Sequence, residues 1–387
     1  MSLLSQKVID LPASGIRKFF DVAAEMDDVV SLGVGEPDFY TPWNVREEAI
    51  YSLEKRRTSY TSNAGSLEFR KAITAYLSAA FNLEYNPKDQ VVVTVGVSEA
   101  IDIALRAILN PDDEVLIIEP CYVSYRACVL LAGGIPVSVP ARVENHFKVT
   151  PEDIESRITN KTKAIMICYP NNPTGAIMTR AELEALADVL RKHELLVISD
   201  EVYAELTYSD EPHVSIASLP GMYEKTLVLN GFSKAFAMTG WRLGFACGPK
   251  DIIAAMVKIH QYVIMCAPTT AQLAGIEAMN NGRENILRMR EEYDNRRRFL
   301  LASFKEIGVE CFEALGAFYL FPYIGFSGMS SDDFCTKLLM QERLALVPGT
   351  AFGASGEGFV RCSYAYSLNE LNTAVERLNK FLQSLQR

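Results

Sequence analysis

Between residues 91 and 247 the chain alternates short apolar, β-branched runs with longer segments of helical period. The runs predict strands at 91–94, 115–118, 135–139, 164–168, 196–199, 226–229 and 243–247. Several are apolar almost throughout, the pattern of strands covered on both faces. Between them, the segment 98–109 has helical period after Thr-Val-Gly and stops at Asn110-Pro111. Thr179-Arg180-Ala181-Glu182 is a capping box, opening a helix expected to run to about His193. Strands separated by helices of this length predict right-handed βαβ crossovers. The fold class is therefore α/β, with a large domain whose mostly parallel seven-stranded sheet is flanked by helices.

The flanks have a different pattern. Residues 1–45 are short segments broken by Gly and Pro. From about 281 a charged helix is followed by two strand-like pieces, 316–322 and 344–350, and a final amphipathic helix over 369–385. The expected division is a large domain over 46–280 and a smaller α+β domain built from both chain ends, 1–45 and 281–387. A length of 387 residues fits this, since it exceeds what one ordinary core accommodates.

Charge and cysteine usage narrow the setting. The formal net charge of -10 disfavours a nucleic-acid partner, which would call for a basic excess. The 8 cysteines form no C-x-x-C pair, so zinc is not expected and buried free thiols are. The N-terminus lacks a basic stretch followed by a long apolar run, and no 18 consecutive residues are apolar. A cytoplasmic protein without a membrane partner is expected.

The P-loop, GxGxxG, HExxH and GxSxG patterns are absent. Polar residues at the ends of predicted strands remain, where open α/β sheets bind ligands. Lys234 follows an apolar run between Phe232 and Phe236. It is either a solvated surface group or an amine with a lowered pKa that forms a Schiff base with an aldehyde. Arg242 opens the next predicted strand, a place for bidentate phosphate binding. Asp200 ends the apolar run 195–200, either as a helix N-cap or as the partner of a protonated heteroaromatic nitrogen. Asn172, in Pro-Asn-Asn-Pro-Thr-Gly, is a turn former or a rigid amide donor. The segment 94–100 is strand, Gly bend and helix start, which suits a phosphate, with Ser98 as the expected N-cap. Arg361 lies inside an apolar strand pattern, paired structurally or holding a carboxylate.

In this order, Ser31–Phe39 (SLGVGEPDF), PNNPTG at 170–175, SDEVY at 199–203, SKAFAMTGWRLG at 233–244 and FVRCSYA at 359–365 resemble one family. It is that of the class I/II pyridoxal-phosphate aminotransferases, the aspartate aminotransferase family of fold type I. The nearest likeness within it is to the bacterial aromatic, aspartate and N-acetyl-diaminopimelate enzymes. The resemblance implies pyridoxal 5'-phosphate as cofactor, amino-acid and 2-oxo-acid substrates, ping-pong kinetics and a homodimer with shared active sites. It makes Lys234 the residue that bonds the cofactor, with Asp200 facing the ring nitrogen and Asn172 and Tyr203 at the ring hydroxyl. Tyr122 would stack on the ring, and Val97, Ser98 and Arg242 would hold the phosphate. Tyr60 would reach the phosphate of the neighbouring subunit. Arg361, with Gly35 close by, would hold the substrate carboxylate.

Two departures qualify the likeness. Gly231 stands where many relatives have a phosphate-binding Ser, and Ser233 is the candidate to replace it. No second arginine matches a side-chain carboxylate. Side-chain selectivity is expected from the segment around Ser14–Arg17 and from the dimer interface, while Tyr122, Tyr125 and Tyr262 either line an aromatic-accepting pocket or pack the core. A carbon–sulfur β-lyase on the same fold, using the same Lys234 and Asp200, is the alternative activity.

Overall fold

The computed structural model describes residues 3–9, 11 and 26–385, so Ser14–Arg17 lie outside the described residues. After a short strand β1 (Val30–Ser31), seven strands form the main sheet. They are β2 (Val91–Thr94), β3 (Glu114–Glu119), β4 (Ile135–Pro140), β5 (Thr162–Cys168), β6 (Leu196–Asp200), β7 (Thr226–Gly231) and β8 (Gly244–Cys247). Their order is β2-β8-β7-β6-β5-β3-β4, and every neighbouring pair is parallel except the two that involve β8. The sheet is thus mostly parallel, as the alternating pattern predicts, with β8 reversed between β2 and β7.

Alternate residues of each strand feed opposite layers. Val115, Ile117, Ala164 and Met166 pack with the helices Val97–Ile108 and Lys250–Val263. Leu116, Ile118, Ile165 and Ile167 pack with Leu183, Leu186 and Leu190 of the helix Arg180–Leu190. Both faces are buried along β2, β3 and β5 to β8, while edge strand β4 is only partly covered, which is why the predicted strands carry so few polar positions.

The helix boundaries follow from their caps. Glu182 accepts the Thr179 N–H at 2.8 Å while Thr179 Oγ1 accepts the Glu182 N–H at 3.3 Å, so the capping box forms. This helix stops at Leu190, before the expected His193. The helix expected from Ser98 begins at Val97, with Gly96 rather than Ser98 at the N-cap. No side chain caps this helix; the Glu99 carboxylate instead reaches back to accept the Val95 N–H at 2.5 Å and closes the turn that precedes it.

A second core draws on both chain ends. β9 (Tyr319–Leu320), β10 (Leu344–Ala345), β11 (Val347–Pro348) and β12 (Val360–Ser363) make two small sheets. β1 pairs in parallel with β10, and β11, β12 and β9 pair antiparallel in that order. The run 344–350, expected as one strand, therefore splits where the chain passes from one sheet to the other. Of the run 316–322, only Tyr319–Leu320 is extended in a sheet. Helices Arg283–Glu306, Ser331–Glu342 and Leu368–Leu385 close this core, with Tyr293, Leu300, Leu338 and Phe381 in the same cluster as Phe318 and Tyr319. No helix among the described residues is long and apolar enough to cross a membrane.

Candidate active site

The loops leaving the C-terminal ends of β2, β3, β5, β6 and β7 open on one cavity of ≈ 790 Å³. Because β8 is reversed, its entrance lies at the same edge, and Arg242 joins the cavity from there. Every predicted site residue lines this space except Tyr60, which is 80% exposed elsewhere on the surface. Of the three aromatic candidates, Tyr122 and Tyr125 line the cavity, whereas Tyr262 is 82% exposed and does not.

Lys234 projects from the turn that follows β7, a turn closed by Phe232 N–H to Leu243 O at 3.1 Å and Met238 N–H to Phe232 O at 3.2 Å. Its Nζ donates to the Gly35 carbonyl at 2.6 Å and lies 5.7 Å from the centre of the Phe318 ring. Burial pulls its pKa down from 10.5 to about 8; Glu36 opposes the shift, and Arg361 and Arg242 reinforce it. The solvated-surface reading is thus replaced by that of an amine partly neutral near physiological pH.

Asp200 ends β6 and is buried. Its Oδ2 accepts the Tyr125 hydroxyl at 2.6 Å and its Oδ1 the Val202 N–H at 3.2 Å. No helix follows it, so the N-cap reading falls away. Burial raises its pKa to about 6, with both hydrogen bonds resisting the rise. A cationic N–H in the cavity would relieve the desolvation of this carboxylate.

Asn171, not Asn172, builds the turn: its Oδ1 accepts the Thr174 N–H at 3.1 Å and the Thr174 hydroxyl at 2.9 Å. Asn172 is left to face the cavity, where its Oδ1 accepts from Arg361 Nη1 at 2.9 Å. Arg361 Nη2 donates to the Gly33 carbonyl at 2.5 Å. The guanidinium lies between Tyr319 and Phe352, 4.5 Å and 4.7 Å from their ring centres. Its buried Nε finds no partner among the described residues. No carboxylate pairs with Arg361 among those residues, which removes the structural ion-pair reading.

The other end of the cavity is shaped for an anion. The first-turn N–H groups of Val97 and Ser98 have no place in the intrahelical ladder. Gly96 turns the chain at φ +77, and a Cβ there would meet Arg242 Nη2 at 2.7 Å. A Cβ on Gly244 would lie 2.7 Å from Val97 N. Arg242 does not open a strand as expected; β8 starts at Gly244, and Arg242 occupies a left-handed turn at φ 51. That turn brings its guanidinium beside Gly96, anchored by Nη1 to Thr239 O at 3.1 Å. At Gly231 a side chain would press on Val97 Cγ2 at 3.0 Å and Leu243 O at 3.1 Å, so Ser233, which lines the cavity, is the hydroxyl on hand.

Two contributors escape the sequence motifs. Tyr125 holds Asp200, and Tyr319 stacks on Arg361 while its hydroxyl lies 2.9 Å from that of Tyr203. Tyr319 reads as core from its apolar neighbours, and Tyr125 is expected only as a pocket or core aromatic, not as a partner of Asp200. The available signal is that a buried Tyr hydroxyl requires a polar partner.

Residues 27–378 match the family described as aminotransferase class I and II. The chain belongs to this family of aminotransferases. The aminotransferase is 55% identical to the Bacillus subtilis protein YugH over 381 residues, 98% of each chain. It is 45% identical to the aspartate aminotransferase of Pyrococcus abyssi over 372 residues, 96% of each chain. Among solved structures, the aromatic aminotransferase of Pyrococcus horikoshii superposes with a TM-score of 0.91 at 43% identity, covering 96% of this chain and 99% of the other. These relatives give the β-lyase alternative no support.

Proposed function

We propose that this aminotransferase uses pyridoxal 5'-phosphate to move the α-amino group of an L-amino acid to a 2-oxo acid by a ping-pong route. The observation that carries this reading is the convergence of one lowered-pKa lysine, one buried carboxylate and one guanidinium with an open Nε on a single cavity. The donor set fits the cofactor's two ends. The Gly96 and Gly244 cradle with Arg242 and Ser233 suits a phosphate, and Asp200 suits a ring N–H⁺. When bound, pyridoxal phosphate supplies an aldehyde for the substrate amine and a protonated ring that spreads the charge left at Cα.

The remaining work is done by the chain. Arg361 and Asn172 orient the substrate carboxylate, Tyr122 packs on the ring face, and Tyr203 contributes a hydroxyl held by Tyr319. Lys234 Nζ, once free, would take the proton from Cα as general base and deliver it as general acid to the carbon that was the cofactor's aldehyde. Fixing both ends of the substrate leaves the reacting bond oriented. The same reading divides the chain into a large cofactor domain, 46–280, and a smaller one from 1–45 and 281–387. It makes the protein a cytoplasmic homodimer in which exposed Tyr60 reaches the partner's phosphate. Donors of the aspartate, aromatic or N-acetyl-diaminopimelate kind are the ones to assay first.

A half-reaction tests the proposal. With cofactor bound and no acceptor, an amino donor should release one equivalent of 2-oxo acid per site, and turnover should start only on adding 2-oxoglutarate. Continuous release of oxo acid and ammonia without acceptor would overturn it. Tyr125→Phe removes a donor to a charged group, a loss of about 1.5–3 kcal/mol. This variant should raise the Asp200 pKa further and lower kcat roughly tenfold or more. An unchanged pH–kcat profile would exclude Tyr125 from that role.

A further inference from the structure

Glu99 lies in the first turn of the helix Val97–Ile108, beside the N–H groups that face the cavity, yet its carboxylate does not line that cavity. Both of its oxygens are engaged elsewhere. Oε2 accepts the Val95 N–H at 2.5 Å, and Oε1 lies 2.6 Å from His260 Nδ1. His260 is wholly buried on the helix Lys250–Val263, which packs against the helix Val97–Ile108. Its Nε2 finds no partner among the described residues.

The proton can be placed from this geometry. A carboxylate only accepts, so His260 Nδ1 carries the ring hydrogen and donates it. A side-chain donor and a backbone donor therefore grip one carboxylate from opposite sides. The same turn is tied from within, where Thr94 Oγ1 donates to Gly96 O at 2.9 Å. Residues 94–96 are held at the place where Gly96 swings the chain from strand into helix.

We propose that the buried His260–Glu99 pair is a positioning device for the anion seat. It fixes the Val95–Gly96 turn so that the Val97 and Ser98 N–H groups converge on a phosphate. The inference rests on the cofactor reading above and adds residues that the cavity lining does not include. A carboxylate so close to an anion site would repel the anion if its oxygens pointed there. Here both oxygens are turned away and engaged by N–H groups, so Glu99 shapes the seat without facing it.

The test compares binding of pyridoxal phosphate with binding of pyridoxal, which has the aldehyde and ring but no phosphate. Absorbance titrations of the full-length apoprotein give both Kd values, with thermal melts alongside. His260→Gln fills similar space but puts its amide at the Nε2 position, away from Glu99, whereas His260→Asn places an N–H near the Nδ1 position. His260→Gln and Glu99→Ala should weaken pyridoxal phosphate binding about tenfold or more and leave pyridoxal binding unchanged. His260→Asn should restore most of the loss. Equal weakening of both ligands, or no change in either, would overturn the proposal and leave the pair a packing feature. A wild-type protein that fails to prefer pyridoxal phosphate over pyridoxal sinks the cofactor reading and this inference with it. A preference that persists intact in His260→Gln sinks the inference alone.

Discussion

Lys234→Ala is expected to abolish transamination, with a loss of about 10³- to 10⁴-fold or greater. On the proposed reading two functions vanish with one side chain: the amine that would bond the cofactor aldehyde and the base that would move the Cα proton. Steady-state assays with the best donor and 2-oxoglutarate measure this, and appreciable turnover without added amine would contradict the assignment. The wild-type amine carries its own pH signature. Its pKa in the unliganded protein is lowered to about 8 by burial, and only the neutral form attacks an aldehyde. Covalent capture of pyridoxal phosphate by the apoprotein should therefore speed up as pH rises toward 8, then level off. A rate that keeps climbing to pH 10 would mean the lysine is not desolvated.

Asp200→Ala should separate binding from chemistry. The phosphate cradle around Gly96, Arg242 and Ser233 is untouched, so pyridoxal phosphate should still bind. What is lost is the buried negative charge that, on the proposed reading, would keep a ring nitrogen protonated. Removing one such preorganised group lowers kcat by roughly 10²–10³-fold. Rapid-scan absorbance together with kcat decides the matter, and wild-type kcat in this variant would rule out the electrostatic role. The Asp200 pKa, raised to about 6 by burial, adds a direction. A cationic ring N–H favours the charged carboxylate, so cofactor binding should pull the Asp200 pKa below 6.

Strands were legible because both faces of the main sheet are buried, which writes continuous apolar runs into β3, β5, β6 and β7. Lys234, Asp200, Asn172 and Arg361 were legible because each is a polar residue at the end of such a run or within one. The rest depends on groups that meet only in three dimensions. Tyr125 reaches an oxygen 75 residues away, and Tyr319 meets Tyr203 across 116. The helix starts at Val97, one residue ahead of the serine, and the turn before it is closed by a glutamate that a histidine 161 residues on holds. Arg242 has strand-like neighbours in the sequence, yet its backbone is left-handed, and its side chain closes on Thr239 O across the turn.

The backbone between Gly33 and Gly35 engages two cations of the site. Its two carbonyls take one donor each from Arg361 and Lys234, the same two cations that the incoming amino acid and cofactor require. On the proposed reading, a substrate carboxylate at Arg361 would compete with the Gly33 carbonyl for one of its donors. The segment would then act against the substrate at a fixed local concentration. Its release on ligand binding and the ligand's apparent affinity are two sides of one equilibrium. Any substitution that lets 33–35 settle more firmly against those cations will raise KM, without touching a residue that contacts the substrate.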